Sequence, residues 1–69
     1  MLILAFDTSS KTASVAILND RVILYDVLIN SGLNHSEVLL PAIEQACGHT
    51  RIKISEIDLF ACTMGPGSF

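Results

Sequence analysis

NHSEVLLPAIEQACG, residues 34–48, decides the fold, because the spacing of apolar side chains changes there. Val38, Leu39, Ala42, Ile43, Ala46 and Cys47 recur at intervals of three and four, the repeat of a helix with one buried stripe. Asn34 is suited to cap its first turn, with Glu37 three residues on reaching back as in a capping box. Gly48 is a natural stop. Pro41 lies inside the pattern, where it lacks an N–H and crowds the carbonyl of Glu37. The expectation is therefore a helix within 35–48 that either bends at Pro41 or begins its regular part there.

Everything before this stretch has strand character. Residues 2–7 (LILAFD) are apolar on both alternating faces, as suits a strand covered on both sides. Thr8 to Thr12 form a polar turn, and Ala13–Leu18 are small or β-branched. Asn19-Asp20 then separates two apolar runs as a tight hairpin turn, the second run being Arg21–Ile29. Three antiparallel strands near 2–7, 13–18 and 21–29 follow. Beyond the helix, Ser55-Glu56-Ile57 turn the chain into a fourth strand near 58–63. A strand reached through a helix usually lies parallel to a neighbour, here the first strand. The predicted order is β-β-β-α-β.

Sixty-nine residues make one small domain at most, one that buries only about 60% of its unfolded surface. Yet 51% of the residues are hydrophobic and the mean hydropathy is +0.56, so apolar surface is left for a partner or for the rest of a larger domain. A net charge of −3, with four Lys and Arg residues that form no stripe, argues against a nucleic-acid footprint carried by this segment itself. The first apolar run ends at Asp7, far short of a membrane span or a signal sequence, which gives the expectation of a cytoplasmic protein with no membrane contact. Cys47 and Cys62 lack a C-x-x-C spacing and suit reduced, apolar thiols.

Two turns could carry chemistry. Asp7-Thr8-Ser9-Ser10 ends the first strand; its hydroxyls and N–H groups could hold a phosphate, and Asp7 a metal-bound water. The same residue types also make good turns without any ligand. Gly65-Pro66-Gly67-Ser68 could form an anion nest ahead of a helix, or simply a tight turn; it is not a Walker loop. His35 and His49 sit fourteen residues apart, about 20 Å along a helix, and cannot share an ion. Each suits a helix end. No Ser–His–Asp set, H-E-x-x-H pair or Cys/His cluster can be assembled, so no catalytic residue and no metal ligand is assigned.

The combination resembles the N-terminus of the TsaB family, also called YeaZ or glycoprotease-like. The matching features are a strand ending in Asp-Thr-Ser-Ser, a hairpin, Asn34-His35-Ser36-Glu37 and Leu40-Pro41 opening a helix, and an Asp58-bearing strand running into Gly65-Pro66-Gly67-Ser68-Phe69. The resemblance implies the N-terminal part of the first lobe of an actin-like ATPase (ASKHA, ribonuclease H-like) fold, stopping before the second helix. It also implies an accessory role, not itself enzymatic, in placing threonylcarbamoyl on the adenosine beside the tRNA anticodon. The implied partners are TsaD, in a heterodimer, and TsaE, with a TsaB homodimer as a further possibility and tRNA met only through the complex. The phosphate turns, Asp7, Thr8, Ser9, Ser10, Gly65 and Gly67, would then be vestigial, with no cofactor held. The alternative is an ATPase or phosphotransferase segment binding nucleotide at Asp7–Ser10. Finally, the helix's apolar arc is wider than one sheet contact requires, so Leu39, Leu40 and Ile43 are expected to face a protein partner.

Overall fold

The computed structural model describes residues 1–8, 11–30, 32 and 35–64, the side chains of residues 35, 36, 63 and 64 excepted. The apolar runs before the helix form β1 (Leu2–Thr8), β2 (Thr12–Asn19) and β3 (Val22–Asn30), an antiparallel meander. Helix α1 (His35–Thr50) follows, then a single 3-10 turn at Ile54–Glu56 and β4 (Leu59–Met64). The sheet order is β3-β2-β1-β4, with β4 parallel to β1 as expected for a strand reached through a helix.

Alternation along the strands sends one set of side chains toward α1. Leu4, Val15 and Ile17 are buried there with Ala42 and Ala46 of the helix, and Phe6, Tyr25, Val27 and Ile29 pack around them. The two alanines form the row of α1 that lies on β2, and their short side chains let the helix approach closely. The opposite sheet face carries Ile3, Ala5, Ser14, Ala16 and Leu28 and is uncovered among the described residues.

Asp58 joins β4 to β1. Its carboxylate accepts the Leu2 N–H at 2.7 Å, while its own N–H donates to the Leu2 carbonyl at 2.8 Å. The pair starts the parallel ladder and sets its register.

Three local expectations need correcting. The hairpin turn is Asp20-Arg21, one residue later than Asn19-Asp20, because Asn19 stays in the ladder opposite both Leu2 and Val22. Asp20 takes the left-handed conformation (φ 55°), which Asp tolerates, and its N–H donates to the Met1 carbonyl at 2.9 Å. Secondly, α1 is already helical at His35, so its regular part does not begin at Pro41. Pro41 and Glu37 are both exposed, and the carbonyl that loses its donor lies on the side where water can replace it. The Asn34 cap lies outside the described residues.

The third correction concerns the helix end. Gly48 does not stop the helix, which runs two residues further to Thr50. Arg51 (φ 58°) takes the left-handed position and the Ile52 N–H donates to the Cys47 carbonyl at 3.2 Å, the six-to-one bond of a Schellman ending. Ile52 and Cys47 pack on the same core, and the Thr50 hydroxyl donates to the Ala46 carbonyl at 2.8 Å. Gly48 is therefore an interior helical glycine, and a Cβ there would meet no atom within 4 Å. Gly48→Ala should stabilise the fold by about 0.5–1 kcal/mol. Urea unfolding checks this, since loss of stability would mean that Gly48 serves as the cap.

Candidate functional site

Two surfaces collect the residues singled out from the sequence. The first lies where β1 ends. Asp7 is exposed, sits opposite Ser14 of β2 and Thr63 of β4, and lines a shallow cavity of about 240 Å³ with Ala5, Phe6, Ser14, Ala16 and Ala61. Small side chains make this floor: Ala5, Ala16 and Ala61 lie side by side across three strands. Thr8, the next residue, is buried and points to the helix side of the sheet. Asp7 and Thr8 thus leave the strand on opposite faces, and only Asp7 reaches the cavity. Ser9, Ser10, Gly65 and Gly67 lie outside the described residues, as does the Gly65–Ser68 turn. Ser14 was not singled out in the sequence. Its signal was pairing register, since a residue of β2 opposite Asp7 must share its face.

The second surface is the outer side of α1. Leu39 and Ile43 are half-buried against the core, whereas Leu40 is 66% exposed. Leu40, Ile43, Glu44 and Cys47 line a groove of about 380 Å³ that Ile54 of the 3-10 turn closes from the far side. Of the three residues proposed for a partner face, Leu40 projects freely, Ile43 serves core and groove together, and Leu39 belongs to the core. Ile54 was missed, although an apolar, half-exposed residue just past a helix end is the kind that closes such a groove.

His49, in the last turn of α1, stacks on Tyr25 of β3 with ring centroids 5.6 Å apart and planes 23° from parallel. The stack ties the helix end to the sheet. Among the described residues no group of three or more His, Cys, Asp or Glu side chains could hold a metal ion, and no helix is long and apolar enough to cross a membrane.

A three-stranded antiparallel meander, a helix laid across it, and a fourth strand returning parallel beside the first together form the opening of an actin-like (ASKHA) lobe. Residues 30–69 match the family described as TsaD: tRNA N6-adenosine threonylcarbamoyltransferase. The chain belongs to this family and corresponds to the N-terminal portion of its TsaB/YeaZ members. It is 36% identical over 67 residues to the tRNA threonylcarbamoyladenosine biosynthesis protein TsaB of Buchnera aphidicola subsp. Baizongia pistaciae, an alignment covering 97% of this chain and 30% of that protein. It is 30% identical, over an alignment 82 positions long, to the tRNA N6-adenosine threonylcarbamoyltransferase of Kosmotoga olearia, covering 97% of this chain and 25% of that one. Its fold superposes on YeaZ from Pseudomonas aeruginosa with a TM-score of 0.86 at 31% identity, covering 99% of this chain and 32% of that one. The chain therefore spans between a quarter and a third of the length of the relatives it matches.

Proposed function

We infer that the chain acts in tRNA threonylcarbamoyladenosine formation, as a cytoplasmic partner subunit that supports the transferase without carrying the reaction itself. The observation that carries this reading is the match to TsaB and YeaZ along almost the whole chain, in sequence and in fold alike. In this role it pairs with TsaD, the ATPase TsaE acts on the pair, and tRNA is met only through the assembled complex.

The groove on α1 is the surface suited to that pairing. Leu40 offers a projecting apolar side chain, and Ile43, Cys47 and Ile54 offer an apolar floor beside it. A contact of this kind excludes water around one or two anchoring side chains, which then dominate its strength. Because Leu40 is exposed, Leu40→Glu should leave folding stability within about 0.5 kcal/mol of wild type. It would place a charge in a dry contact, and pairing with TsaD should weaken at least about tenfold. Pull-down by TsaD and gel filtration read the result. A folded Leu40→Glu chain that holds TsaD at wild-type strength rules out this face.

A further inference from the structure

β3 borders the sheet, and among the described residues no strand lies on its outer side. Its nine residues, VILYDVLIN, are apolar except for Asp26 near the middle and Asn30 at the end. Val22, Ile23, Leu24 and Leu28 are all exposed, Leu28 at 73%. A long apolar edge of this kind is a template for another strand unless something blocks it.

The strand that fits this edge best is β3 itself. Leu24 is an extra residue in the ladder, because Ile17 pairs with Tyr25 while Leu18 pairs with Ile23. Two copies laid antiparallel about a two-fold axis at Asp26, keeping that one-residue offset, match Tyr25 to Val27, Ile23 to Leu28 and Val22 to Ile29. Each match is apolar, joins side chains of the same sheet face, and occurs twice by symmetry. One position opposes the pairing: Asp26 meets Asp26 on the axis, at the roughly 5 Å separation of directly opposed residues.

We propose that Asp26 guards a latent self-pairing edge: its carboxylate keeps β3 from joining β3 of a second copy into a continuous eight-stranded sheet. Nothing in this depends on the groove on α1, and the two surfaces can be tested separately.

The test uses the 69-residue chain with Asp26→Val and Asp26→Lys, each alone, and an equimolar mixture of wild type with Asp26→Lys. Sedimentation velocity reads association, and amide hydrogen exchange reads where it occurs. Asp26→Val should associate about tenfold more strongly than wild type, with new protection over Val22–Asn30. Asp26→Lys alone opposes two ammonium groups and should behave as wild type. The mixture opposes Asp to Lys and should form a one-to-one pair about tenfold more strongly than either component. The mixture also decides the matter if Asp26→Val precipitates, since both of its components keep a charge on the edge. The proposal is overturned if the mixture sediments as its components do, or if the gained protection falls on α1 and not on β3.

Discussion

Replacing Ile17 by Ala should cost about 2–5 kcal/mol and lower the urea midpoint of unfolding accordingly. Ile17 has no solvent exposure and lies on β2, an inner strand, with Leu4 of β1 and Ala42 and Ala46 of α1 in the same buried cluster. Truncation removes buried carbon from the one place where sheet and helix both contribute, and the surrounding structure relaxes only partly. A chain of this length commands roughly 3–10 kcal/mol in total, so one such loss is a large share. Urea unfolding followed by circular dichroism measures it. A midpoint within error of wild type would mean that Ile17 is not at the centre of the core.

Ala46→Leu should destabilise by about 1–3 kcal/mol, although leucine is a good helix former and the change adds apolar surface. Ala46 is fully buried on the row of α1 that meets β2, where a methyl group already fills the space. Three more carbons must push α1 off the sheet or force strained rotamers. The double variant Ile17→Ala with Ala46→Leu restores much of the lost volume within the same cluster. It should therefore be more stable than the sum of the two single changes, by an amount that a double-mutant cycle reads directly. Strict additivity would show that the two side chains do not share a space.

The fold was legible wherever a repeat in the sequence had a single geometric meaning. The change of period at Asn34 placed α1, and the apolar runs placed all four strands to within one or two residues. Ends were less legible, because they depend on which residue takes the left-handed conformation. Gly48 and Asn19 suit that conformation, yet it falls to Arg51 and Asp20, neither of them glycine. At Arg51 the deciding partner is Ile52, which must reach the core and fixes where the helix can turn. Pro41 misled for a related reason. Its cost depends on whether the freed carbonyl is wet, and that is set by which side of α1 meets the sheet.

The candidate sites were legible in part. Treating Asp7 and Thr8 as one turn overlooks the two-residue period of a strand, which sends them to opposite faces. The cavity floor of Ala5, Ala16 and Ala61 comes from three strands and arises only once their register is known. On α1 the arc of apolar residues was visible, but Leu39 and Leu40 are told apart only by the tilt of the helix on the sheet.

The reciprocal bonds between Asp58 and Leu2 bear on the order in which the molecule is built. They join residues 56 positions apart, whereas the β1–β2–β3 meander closes over short turns. Hairpins form within microseconds of their residues being available, while pairings distant in the chain must first close a long loop. During synthesis β1 and β2 can therefore pair as soon as they emerge, but the outer side of β1 has no strand to accept until β4 is made. At ribosomal speeds that interval is on the order of seconds. For its duration β1 is itself an open edge, and it stays vulnerable to the wrong neighbour until Asp58 arrives to claim the Leu2 amide.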